Sequence, residues 1–187
     1  MDGGHGHGRR AARGAGAGLG FRRADPAPAS AAGRARRARE IAAPYGPETT
    51  VFLLDTHVWL RLLLPELGRL PAATTRILQE AQRAGQLTVS DISIWGLAMR
   101  VGRGSLQLAM PLRDWLERAM QAPGIRHAPI NRAALLRAHE TETGDIGDPF
   151  DRALIATDLT GGSTLVTADQ AILRWGATSG VPMLSAR

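Results

Sequence analysis

The sequence predicts an α/β fold: a central, mostly parallel sheet with helices on both of its faces. Three observations carry that expectation. From Thr49 onward, apolar runs of strand length alternate with segments of helical period. The runs are apolar along most of their length, as in strands buried on both faces. Prolines, glycines and small polar residues fall between the segments, where helices start and stop. Taken in order, residues 51–54 read as a buried strand and the segment through Leu64 as a short helix ended by Pro65. Pro71 opens a second helix running to about Ala84, Gly85 stops it, and residues 87–89 form the next strand. Ser90 caps a helix that carries Ile92, Trp95 and Met99 at spacings of three and four. Pro111 starts another, through Trp115 and Met120, closed by Pro123 and Gly124. Residues 125–130 give a third strand, 131–140 a helix, 149–159 a further helix and 164–166 the fourth strand. Residues 181–184 make an edge strand, where Pro182 is tolerated. Trp59, Trp95 and Trp115 read as core residues.

Composition narrows the chemistry. The 187 residues include no cysteine, which excludes a disulfide framework, a thiolate zinc site and a cysteine nucleophile. The net charge is +6, and all 23 basic residues are arginine. Residues 1–48 hold nine arginines against four acids, whereas residues 49–187 hold 14 against 13. The domain expected over 49–187 is therefore nearly neutral, and basicity is a weak argument for nucleic-acid binding. Residues 1–48 contain 13 Ala, 10 Gly and 4 Pro and almost nothing that could fill a core, so they read as a disordered leader or as a translated stretch upstream of the true start. No apolar run reaches the roughly 18 residues that span a bilayer, which leads to the expectation of a soluble, cytoplasmic protein with no membrane partner.

The informative residues are carboxylates. In an open parallel sheet, ligands collect beyond the carboxyl ends of the strands. Asp55 directly follows the first strand, Asp169 lies just past the fourth, and Asp151 falls in the first turn of the helix introduced by Asp148 and Pro149. If the first and fourth strands are neighbours, these carboxylates converge on one small volume. Such convergence is costly unless a cation neutralises the charge or some of the groups hold protons. Oxygen ligands without Cys or paired His match Mg²⁺ or Mn²⁺. That ion suits phosphodiester hydrolysis, because it neutralises phosphoryl oxygens and activates water. Plainer readings stand beside this one: Asp148 as N-cap, Asp151 as a first-turn acid, Asp169 as the cap of the last helix. Asp55 has the weakest of these alternatives, since it ends a strand with buried flanks. His57 reads as a packed, hydrogen-bonded core residue, not a general base.

The ordered set Leu53-Leu-Asp55-Thr-His-Val-Trp59, Val89-Ser-Asp-Ile-Ser-Ile-Trp95, Gly147-Asp-Pro-Phe-Asp-Arg152 and Leu165-Val-Thr-Ala-Asp169 resembles the PIN-domain ribonucleases of the VapC toxin type. The resemblance implies a PIN-like α/β/α sandwich and a metal-dependent endoribonuclease toxin, cutting RNA such as tRNA. It further implies a homodimer and silencing by a VapB-type antitoxin. The family's metal-binding acids fall on Asp55, Asp151 and Asp169, with Asp148 as an added acid. Ser90 and Thr167 take the small hydroxyl positions near the metal. The departure is Gly96, which stands where relatives place a glutamate after the tryptophan. Asp91, five residues earlier and about 140° around the helix, points elsewhere. Two alternatives stay open. One is a catalytically silent PIN domain that binds antitoxin or RNA; the other is a phosphatase on a similar sheet using Asp55 as nucleophile, although such chemistry normally has an aspartate where His57 stands.

Overall fold

A computed structural model of the chain describes residues 50–141 and 146–187. The leader reading for residues 1–48 lies outside the described residues. The apolar runs become β1 (Phe52–Leu54), β2 (Leu87–Ser90), β3 (Ile125–Ala128), β4 (Thr164–Thr167) and β5 (Met183–Ser185). Between them stand α1 (Thr56–Leu63), α2 (Ala72–Arg83), α3 (Asp91–Gly102), α4 (Leu112–Met120), α5 (Arg132–Glu140), α6 (Pro149–Gly161) and α7 (Gln170–Ser179). All strand pairs are parallel, in the order β3-β2-β1-β4-β5. The chain builds outward from β1 through β2 to β3, then returns to lay β4 on the other side of β1. This reversal opens a crevice between β1 and β4 at their carboxyl ends.

The register shows how one strand serves two layers. Leu54 aligns with Val89 and Val166, and Leu53 with Thr88 and Leu165, so successive residues of β1 face opposite sides. The Leu54 side packs with Val58 and Trp59 of α1, Leu78 and Ala81 of α2 and Ala119 of α4. The Leu53 side packs with Leu154 and Ile155 of α6 and Ile172 and Trp175 of α7. The result is the expected α/β/α sandwich. Full burial of each large aliphatic side chain contributes about 1.5–3 kcal/mol. Trp59 is fully buried and meets Trp115 edge-on, with ring centroids 5.6 Å apart.

Trp95 departs from the expected core. It is 56% exposed and lies against Phe150 of α6 at 4.5 Å. Helix α3 buries Ile92, Ser93 and Leu97 instead. An apolar residue at helical spacing marks a face only when that face is the one the sheet covers, and α3 turns Trp95 away from it. Among the described residues, no helix is long and apolar enough to cross a membrane.

Candidate active site

Asp55 occupies the N-cap position of α1, where an aspartate ordinarily accepts a hydrogen bond from the first turn. It makes no such bond. Its backbone N–H donates to Val166 O at 3.1 Å, extending the β1–β4 pairing by one residue. Its carboxylate turns toward β4, where Oδ2 accepts a 2.6 Å hydrogen bond from Thr167 Oγ1. Thr167 Oγ1 in turn accepts from Asp169 N at 3.0 Å, so one buried hydroxyl joins two of the acids. His57 completes the clamp. Ala168 N donates to His57 Nε2 at 2.9 Å, which leaves Nδ1 to carry the ring proton and face Asp55 Oδ2 at 3.2 Å. With both ring nitrogens engaged, His57 is a positioning residue for Asp55; it is hydrogen-bonded as expected, but its side chain is 29% exposed and so is not the core residue the sequence suggested. What that reading missed is the partner. The signal available was the spacing: a histidine two residues after a strand-ending acid.

The other acids arrive by helix starts. Asp148 caps α6, accepting from Phe150 N at 2.8 Å, and Pro149 follows in the first turn. Asp151 stands further along the same first turn, and its side chain accepts no hydrogen bond among the described residues. Asp169 caps α7, accepting from Ala171 N at 2.7 Å and Ile172 N at 3.0 Å through Oδ1. The capping readings of Asp148 and Asp169 are thus correct. They leave the second oxygen of each unengaged among the described residues, as is Oδ1 of Asp55.

Electrostatics ties the four acids together. Burial pushes the Asp151 carboxyl up to about 6, and the charges of Asp148, Asp55 and Asp169 push the same way, with His57 opposing. Burial disfavours the charged form first, and the three neighbouring carboxylates add to it. No three His, Asp or Glu groups among the described residues close on one point as metal ligands. Two of the acids are turned toward backbone N–H groups, and like charges favour separation. The donor set itself, four carboxylates with oxygens to spare, is the hard-oxygen type that fits Mg²⁺ or Mn²⁺.

The remaining expected residues divide. Ser90 is fully buried, and its hydroxyl is used as the α3 cap, accepting from Ile92 N at 3.1 Å. Ser93, which the sequence reading passed over, donates to Leu54 O at 3.1 Å and ties α3 to the residue before Asp55. Asp91 does point elsewhere: its carboxylate meets His127 Nε2 at 2.5 Å and Ile130 N at 3.0 Å. Burial would raise its pKa, but those hydrogen bonds hold it below the ordinary value. Gly96 faces the start of α1. A Cβ there would lie 3.1 Å from Thr56 Oγ1 and 3.4 Å from its Cγ2. Arg152, part of the quoted motif, donates to Ala138 O at 3.0 Å and joins α6 to α5.

Residues 52–176 match the PIN domain family. The chain is also 33% identical over 123 residues to ribonuclease VapC22 of Mycobacterium tuberculosis strain H37Rv, an overlap spanning 65% of this chain and 88% of that protein. The chain belongs to the PIN domain family, in its VapC branch. Its fold is similar to that of a solved structure described as VapBC2 from Rickettsia felis bound to a DNA fragment from their promoter, with a TM-score of 0.56, 12% identity and coverage of 74% of this chain and all of the other. The PIN domain carries the Asp55–Thr167–Asp169 linkage at its β1–β4 crevice and Asp148 and Asp151 at the start of α6.

Proposed function

We propose that this PIN domain is a metal-dependent endoribonuclease toxin that hydrolyses RNA phosphodiester bonds, tRNA among its candidate substrates. The observation that carries the reading is Asp151 raised to about 6 amid Asp55, Asp148 and Asp169 at the sheet's switch point. Asp55, Asp148, Asp151 and Asp169 would hold Mg²⁺ or Mn²⁺. When bound, such an ion activates water and neutralises charge on the phosphoryl and leaving oxygens. The chain's own residues prepare for it: Thr167 and His57 fix the Asp55 carboxylate. The α6 and α7 starts hold Asp148 and Asp169 by one oxygen each. The engaged imidazole of His57 and the lack of a second acid beside Asp55 count against the phosphatase reading.

The kinship to ribonuclease VapC22 supports the RNA substrate, and the VapBC2 neighbour supports a VapB-type antitoxin as partner. We extend both to a homodimer in the cytoplasm. The test is cleavage of a mixed RNA pool with Mg²⁺ and with EDTA. Cleavage that requires the metal is the expected result, and equal cleavage in EDTA rejects it. A second reading is favoured by one observation, Gly96 in place of a carboxylate: a silent PIN domain that binds antitoxin or RNA. Calorimetry discriminates, because that module need take up no Mg²⁺ at millimolar concentration.

A further inference from the structure

Beside Asp169, away from α6, runs an open groove of about 600 Å³ lined by Arg61, Ala168, Asp169, Gln170, Ala171 and Arg187. A smaller hollow of about 250 Å³, sharing Gln170 and Arg187, carries it on to Arg174. The fold places these arginines. Arg61 lies in the last turn of α1, the helix that begins one residue after Asp55. Ala186 is 1% exposed and donates to Thr167 O at 2.8 Å, so Arg187 follows one residue after a fixed point on the strand whose hydroxyl holds Asp55. With its amide oxygen turned inward, Gln170 accepts from the Arg187 guanidinium across the groove. Arg61, Arg174 and Arg187 pair with no carboxylate among the described residues.

A domain with nearly balanced charge has thus set guanidinium groups without carboxylate partners among the described residues next to its most acidic spot. A polyanion reaching four carboxylates meets more negative charge than one divalent ion cancels, so the phosphates on either side need cations from the protein. The planar guanidinium fork matches a phosphodiester in two-point contact. We infer that the groove of Arg61, Arg187 and Arg174 seats the sugar–phosphate backbone of the RNA strand next to the scissile phosphate. The inference rests on the nuclease reading and adds where the substrate lies.

The test separates the two. Binding of a labelled single-stranded RNA oligonucleotide is followed by fluorescence anisotropy over a range of NaCl, in Mg²⁺, with the Asp55→Asn protein so that the strand is not cut. Adding Arg61→Gln and Arg187→Gln should weaken binding roughly tenfold or more at low salt. It should also reduce the slope of log K against log[salt] by about 1.4, at about 0.7 per phosphate contact on a single strand. Arg113→Gln with Arg118→Gln, exposed on α4 and outside the groove, should do neither. Equal losses from both pairs, unchanged binding in the groove pair, or competition by an acidic peptide but no uptake of RNA would each overturn the groove. Metal-dependent cleavage by the unmutated chain is measured alongside. If that fails while binding still depends on Arg61 and Arg187, the nuclease reading falls and the groove stands.

Discussion

Asp55 shows what a single residue can reveal about its own purpose. At a helix N-cap, the side-chain bond to the first turn contributes about 1 kcal/mol, and Asp148, Asp169 and Ser90 all make one. Asp55 forgoes it to face Thr167 and His57. Asp55→Asn should therefore abolish metal-dependent RNA cleavage while leaving the thermal midpoint within a few degrees of the original, read by a cleavage assay and a melt. Asp158 is the opposite case, a buried acid outside the site. It is 1% exposed in the last turns of α6, its carboxylate meets only Ser163 Oγ, at 2.6 Å, among the described residues, and burial raises it from 3.8 to about 7. The folded state holds this proton more tightly than the unfolded state. Asp158 therefore imposes no penalty below 3.8; stability falls as pH rises through the interval and is lowest above about 7. The full penalty is roughly 4 kcal/mol. Asp158→Asn should raise the denaturation midpoint at pH about 8 and raise it much less at pH about 5; an equal gain at both would show that ionisation is not the cause.

At the scale of elements, close approaches decide which substitutions the scaffold accepts. Gly96 brings α3 against the first residue of α1. A helix gains about 1 kcal/mol when glycine becomes a residue with a Cβ, but here Thr56 must yield by a few tenths of an ångström. Gly96→Glu should place a carboxylate at the start of α1 and raise cleavage at least about tenfold, with the larger gain when Thr56→Ala removes the Oγ1 and Cγ2 that crowd it. Unchanged rates in both proteins would show that the missing carboxylate does not limit activity. Gly124, which leads into β3, is more constrained. It has φ +79°, and a Cβ would lie 1.8 Å from Gln82 O at the end of α2. Gly124→Ala should cost about 3 kcal/mol in chemical denaturation, against about 1 kcal/mol for Gly104→Ala, where φ is +68° and nothing stands within 4 Å.

At the scale of the whole molecule, a sheet order of β3-β2-β1-β4-β5 sets Thr167 and Asp169, at the end of β4, beside Asp55 at the end of β1. The exposed apolar side chains Trp95, Leu135 and Leu136 lie outside the two cores. The proposed homodimer predicts a sedimentation mass of twice the chain, and a single-chain mass at micromolar concentration would reject it. The local pattern determined much by itself: the strands, the helices, their caps and the identity of the acids, because apolar period and capping chemistry are set by residues a few positions apart. What only the tertiary structure decided are relations across long spans of chain. That β4 lies beside β1, that Thr167 holds Asp55 over a separation of 112 residues and Ala168 holds His57 over 111, that Trp95 faces outward, and that Arg61 meets Arg187 in one groove all follow from how layers stack. No periodicity within one segment encodes which distant segment will cover it, since burial is a property of the packed pair.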